Sequence, residues 1–211
     1  MYVPPYFKNT NTEEVHDFIR ENGFGILVSQ TSSRLWATHI PLELEKNENE
    51  KWVLFGHVSR GNPQWKNFID KGEVMAIFQG PHTYISSSWY DHENVPTWNY
   101  IAVHVYGTIK IIEGEAVKKV LKNLVDKYEK HSAHPVSIEN MSKNFLAKEI
   151  KGIVCFGIEI TSIEAAYKLS QNRDKKNHDS IITELKNRGD SNSIQIADTM
   201  NTHYGEKNPD A

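Results

Sequence analysis

Apolar and polar residues alternate with a period of two along much of the chain, the signature of half-buried strands. "GILVSQ" (25–30), "RLWATHIPLEL" (34–44), "WVLFGHVS" (52–59), "EVMAIFQG" (73–80), "YIAVHVYGTIKII" (100–112) and "GIVCFGIEITSIEAAYKLS" (152–170) read as strands, with a bend or bulge expected at Gly107. Elsewhere the period lengthens to that of a helix. "TEEVHDFIRENG" carries Val15, Phe18 and Ile19 at helical spacing, with Thr12 as cap, Glu13 and Glu14 in the first turn and Gly23 as the stop. "GEAVKKVLKNLVDKYEKH" sets Val117, Val120, Leu121, Leu124, Val125 and Tyr128 on one face. "GNPQWKNFIDKG" suits a short helix capped by Asn62 with Pro63 at its first position, and "HDSIITELKNRG" and "SIQIADTMNTHYG" suit two more. Five or six strands joined mostly as hairpins predict a mainly β, α+β protein built on an antiparallel barrel or sandwich. The expected division is a barrel domain over 1–168, a short helical extension packed on it over 169–204, and a disordered tail over 205–211.

The alternation fails between Tyr84 and Tyr100, "YISSSWYDHENVPTWNY". Five aromatics and three consecutive serines sit there on neither period, and Pro96 removes a ladder donor. A segment that costly to order is expected to pack against a flat, polar-edged ligand, a neighbouring chain, or both.

Composition narrows the function. With 38% hydrophobic and 24% charged residues the chain is an ordinary globular protein, and its net charge of −3 gives no global attraction to nucleic acid. The opening "MYVPPYFKNT" lacks the basic and apolar regions of a secretory leader, and no apolar stretch could span a bilayer, so a cytoplasmic protein without membrane partners is expected. Cys155, the single cysteine, lies in an apolar run and is expected to be a buried small hydrophobe. The ten histidines show no HxxxH or HExxH spacing, and there is no CxxC, GxSxG, GxGxxG or P-loop, so no metal site is expected.

Four polar-rich stretches interrupt the apolar pattern: "ATHIPL", "GHVSRGNPQW", the aromatic segment and "KLSQNR". They offer His39, His57, Arg60, Lys168 and Arg173 as cations, beside Thr38, Ser59, Asn62, Ser86, Ser87, Thr97, Gln171 and Asn172. Such a mixture suits a phosphate, and Ser59 and Arg60 stand where a strand ends and a helix begins. Trp89 and Trp98 could flank a planar aromatic ligand. Each has a plainer reading: the histidines as strand-end donors, Arg60 as a surface ion-pair partner, the rings as core or interface.

"MYVPPYF", "ATHIPL", "GHVSRGNPQW", "YISSSWY", "VPTWNY" and "KLSQNR" resemble, in that order, the landmarks of the PaiB family, described as FMN-binding negative transcriptional regulators. The resemblance runs from Met1 to about Met200. It implies an FMN-binding split β-barrel, homodimeric, with flavin sites at the subunit interface. It further implies that Thr38, His39 and His57 line the cofactor, that Ser59 and Arg60 hold its phosphate, and that Asn62 supports their turn. Ser86, Trp89 and Trp98, with Lys168, Gln171 and Asn172, would complete the site. The chain departs from the family pattern at Ser59, Gly61 and Ser87. Three functions follow as expectations: a regulator with DNA or a regulatory protein as partner, a flavin-dependent oxidoreductase using NAD(P)H, and a haem-binding or haem-degrading protein using one of the histidines.

Overall fold

The structure is a computed structural model that describes residues 1–31, 33–68 and 73–207. Seven strands form one sheet: β1 (Phe24–Gln30), β2 (Leu35–Pro41), β3 (Glu43–Lys46), β4 (Trp52–Ser59), β5 (Glu73–Ile85), β6 (Thr97–Ile112) and β7 (Ile153–Lys168). Their order is β2-β1-β5-β6-β7-β4-β3. β1 pairs antiparallel with β2 and β5, and β4 with β3 and β7. The helices are α1 (Thr12–Glu21), α2 (Ala116–Glu129), α3 (Lys143–Lys151), α4 (Lys175–Arg188) and α5 (Ser191–Lys207).

The strand count exceeds the expected five or six because "RLWATHIPLEL" is two strands. Pro41 has no N–H with which to continue a ladder, and the N–H of Leu42 turns to Gly23 O at 2.8 Å. β3 then pairs with β4, so one apolar run serves both ends of the sheet. The first helix is capped by Asn11 rather than Thr12, its side chain accepting from the N–H of Glu14 at 3.3 Å. α3 escaped the sequence reading, since none of its residues is fully buried to imprint a period.

The contacts gather into two units. One comprises Ile19–Phe78 and Val105–Ile163 and takes residues from all seven strands. Its sheet ends at β2 and β3, which only Leu42 separates in the chain, so the sheet must curl until those ends meet: a split β-barrel. Leu27, Leu42, Leu54, Phe78, Val105, Phe156 and Ile158 are fully buried within it. The expected special position at Gly107 is a close approach: a Cβ there would stand 2.3 Å from Glu159 O, so no larger residue fits.

The other unit comprises Met1–Phe18, Gln79–His104 and the chain from Glu164 onwards. Its N-terminal arm is pinned by an ion pair from the Met1 amino group to Glu164 and by the Asn9 N–H bond to Ala165 O at 3.1 Å. Asp174 caps α4 by accepting from the N–H of Asn177, and Gly189, at φ 75°, ends it. Ile181, Leu185, Ile196, Ala197 and Met200 bury the inner faces of α4 and α5. α5 continues to Lys207, and residues 208–211 of the expected tail lie outside the described residues, as do 69–72 of "GNPQWKNFIDKG". The described part of that stretch is a 3-10 turn, Pro63–Asn67, capped by Asn62 as the sequence suggested.

His178 is 1% exposed, stacks on Tyr204 with ring centroids 4.1 Å apart, and its Nε2 has no partner. Burial holds its imidazole neutral, lowering the pKa from 6.5 to about 4. An unfolded chain takes up the proton below 6.5 while the folded one resists, so stability is whole above 6.5 and is lost as pH falls towards 4. Melting temperature is therefore expected to drop across that window, and His178→Phe to flatten the drop. An unchanged slope in the variant would assign the effect to other groups.

Candidate ligand-binding residues

In the barrel unit the expected residues converge on an amide the sequence reading passed over. Gln64 is 0% exposed. Its Nε2 donates to Leu27 O (3.2 Å) and Ser29 Oγ (3.0 Å), and its Oε1 accepts from Thr38 Oγ1 at 2.6 Å. Asn62 Nδ2 donates to the same hydroxyl at 2.8 Å, and Asn62 Oδ1 accepts the Gln64 N–H at 3.0 Å. Thr38 and Asn62 are thus committed to this network. Only the pattern N-P-Q after a strand could have hinted at it: a cap, a helix-starting proline, then a polar side chain turned inward.

Ser59 and Arg60 stand at the end of β4. Ser59 Oγ accepts the Gly61 N–H at 3.2 Å. The Arg60 guanidinium donates to Lys151 O (2.8 Å) and Ile153 O (2.9 Å) and lies 5.8 Å from the Trp65 ring centre, leaving three of its five N–H groups for a ligand. It borders a cavity of about 230 Å³ walled by Trp65, Val117, Ile150 and Cys155. The Cys155 thiol is 2% exposed and is pushed up to about 11 by burial, as suits the buried small hydrophobe expected. His57 pairs with Cys155 across the β4–β7 ladder; burial lowers its pKa, and its Nδ1 is buried without a partner. His39 is exposed on the end strand β2, 6.4 Å from the ring of Phe24.

In the other unit the aromatic segment is more regular than expected. β5 runs on to Ile85, a 3-10 turn occupies Ser87–Trp89, and β6 already begins at Thr97. Ser86 caps that turn by accepting the Ser88 N–H. Trp89 lies under Arg188, 4.7 Å from ring centre to guanidinium carbon. Trp98 is 53% exposed and meets His82 (6.2 Å) and Tyr84 (6.0 Å). The two tryptophans therefore have separate neighbours, and it is Trp98 that presents an uncovered face.

"KLSQNR" is a tight turn out of β7. Gln171, 4% exposed, spends its amide on that turn, accepting from Leu169 N–H (2.8 Å) and donating to Tyr167 O (2.6 Å). Asn172 is exposed. Lys168 donates to Thr97 Oγ1 and stands over the Phe7 ring at 5.9 Å, while Arg173 stands over the Tyr90 ring at 5.2 Å. Among the described residues no cluster of His, Cys, Asp and Glu could hold a metal ion, and no helix is long and apolar enough to cross a membrane.

Comparison with known proteins adds a family. Residues 1–162 match the family model described as Putative FMN-binding domain. The Bacillus subtilis protein named Protease synthase and sporulation protein PAI 2 is 46% identical over 200 residues, which cover 95% of this chain and 96% of that protein. Two solved structures share the fold. The FAD and heme binding protein of Mycobacterium smegmatis gives a TM-score of 0.59 at 14% identity, covering 76% of this chain and 73% of its own. The flavocytochrome Anf3 of Azotobacter vinelandii gives 0.60 at 17% identity, covering 84% and 78%.

The Gln64 network supports the turn that carries Ser59 and Arg60. Gln64→Leu keeps the volume but strands two carbonyl or hydroxyl acceptors and the Thr38 donor, so a loss of about 2–4 kcal/mol in denaturant unfolding is expected. A loss well under 1 kcal/mol would show that solvent replaces the amide.

Proposed function

The chain belongs to the Putative FMN-binding domain family, and on that premise we propose that it is a PaiB-like FMN-binding protein which works as a homodimer and lowers transcription according to the state of its flavin. The observation that carries the flavin reading is the Trp98 face. A large ring 53% exposed, edge-on to Tyr84 and beside His82, leaves an aromatic surface that a flat heteroaromatic ring or a second chain would cover. Bound FMN would supply one- or two-electron redox chemistry. The chain's own residues do the rest. Trp98 would fix the plane of the ring and shed water from it.

The partner through which transcription is lowered is a protein or a small molecule rather than DNA read by α4 and α5. A DNA-reading helix needs unspent cations along one face. Here Lys175 pairs with Asp179 (2.8 Å), Lys176 with Asp91 (2.8 Å) and Lys186 with Asp198 (3.4 Å), while Arg188 donates to Thr83 Oγ1 and Tyr84 O, both at 2.9 Å. A flavin-dependent NAD(P)H oxidoreductase is the second reading, favoured by the same uncovered ring, and exposed His39 is the candidate axial ligand for a haem reading.

Absorption spectra before and after adding FMN, and separately haem, decide among these. FMN is expected to bind with its fluorescence quenched, and Trp98→Ala to weaken it by roughly tenfold while loosening the dimer in parallel, as loss of one stacked ring should. A protein that stays colourless with both ligands would remove the cofactor reading. NADH turnover would promote the oxidoreductase, and a sharp haem band the haem reading.

A further inference from the structure

Adjacent cations usually recruit carboxylates, because like charges repel and each gains from an opposite partner. The lysines of α4 follow that rule, as their pairs with Asp91, Asp179 and Asp198 show, while Arg188 is spent on Thr83 Oγ1 and Tyr84 O. Lys168 and Arg173 break it. Both are half-buried on the turn that leaves β7, and neither has a carboxylate within 4.0 Å among the described residues. The Arg173 guanidinium has no hydrogen-bond acceptor there at all. Burial first, and then the charge of Arg173, press Lys168 towards its neutral form.

The turn holds this repulsive arrangement in place. Ser170 is 4% exposed with φ 58°, a left-handed conformation that serine seldom adopts. Its Oγ donates to Asn99 Oδ1 (3.1 Å), Asn99 is 0% exposed, and the Arg173 N–H closes back on Ser170 O at 3.0 Å. A backbone constrained in this way, carrying two cations without a carboxylate partner, suits an anchored anion. Around it stand the rings of Phe7 and Tyr90 and the hydroxyl of Thr97, which accepts from Lys168 and keeps its own hydrogen to donate. The Tyr90 hydroxyl is buried and has no partner.

We propose that Lys168, Arg173 and Thr97 form an oxyanion site whose ligand is a phosphomonoester. A phosphate brings up to two charges and three terminal oxygens, matching an ammonium, a guanidinium edge and a hydroxyl; a carboxylate would leave one cation unmatched. The anion itself does not depend on the flavin reading. The identity of the ester does: FMN is one source of the group, and inorganic phosphate or another ester is the other.

The test uses the full chain in phosphate-free buffer with Lys168→Gln, Arg173→Gln and the conservative Lys168→Arg. Inorganic phosphate, against chloride at equal ionic strength, is scored by melting temperature; FMN and riboflavin are titrated by flavin fluorescence. Phosphate is expected to raise the melting temperature of the parent, less so in either Gln variant, with Lys168→Arg largely retained. FMN is expected to outbind riboflavin, and each Gln substitution to cut that advantage by roughly 10- to 100-fold, the worth of one charged hydrogen bond. Phosphate stabilisation without binding of either flavin would keep the anion site and remove the flavin reading. An FMN advantage that survives both Gln substitutions, or a parent indifferent to phosphate and without preference for FMN, would overturn the proposal. Competition between phosphate and FMN in the parent supports it even if a variant fails to fold.

Discussion

The barrel depends on a buried amide at its seam. β2 and β3 are the two ends of the sheet, and nothing in the strand ladders joins β2 to the strands at the far end. Gln64, just past β4, makes that connection by bonding to Leu27 and Ser29 of β1 and Thr38 of β2. An amide excluded from water costs several kcal/mol if its groups stay unmet, about 2–7 kcal/mol by transfer, so the seam has one comfortable geometry. Asn62 enforces it twice, as helix cap and as donor to Thr38. The stretches "ATHIPL" and "GHVSRGNPQW" therefore belong together for a structural reason before any ligand is considered.

That arrangement offers a way to separate architectural from functional polar residues: by hydrogen-bonding capacity left unspent. Thr38, Asn62 and Gln171 are committed to neighbours. Arg60 is partly committed, and His57 keeps a buried nitrogen without a partner. Lys168 and Arg173 have spent almost nothing of their charge. Resemblance carried all of these but Arg173 as one cofactor set, since a motif records which residues recur and is silent on whether they face inward.

Most of the fold could be read from the chain. "WVLFGHVS" is β4 residue for residue, because burial alternates along it from Leu54 to Ser59, with Val53 one further buried position at its start. β5 outruns its apolar core through "PHTYI", where polar residues keep pairing after the hydrophobic signal has ended. α3 left no signal because its side chains are not buried, and periodicity reports burial rather than helix. The site was less legible. Arg173 was visible as a cation and Ser170 as nothing in particular, for a backbone twist and a missing counter-charge are properties of three dimensions.

Ser170 shows how closely the two are tied. A turn required only to connect β7 with α4 would be easiest with glycine at the left-handed position, which glycine takes without strain. Serine there costs of order 1 kcal/mol, and what it gains is an Oγ that reaches Asn99 inside the unit. Gln171 fastens the same turn from the next residue by spanning Leu169 and Tyr167. The loop is thus fixed from within on both sides of the strained residue, and its two ends are the two cations. Repulsion between Lys168 and Arg173 would relax at once if the turn could open. The buried bonds of Ser170 and Gln171 hold the turn closed and keep both cations on it without a carboxylate partner.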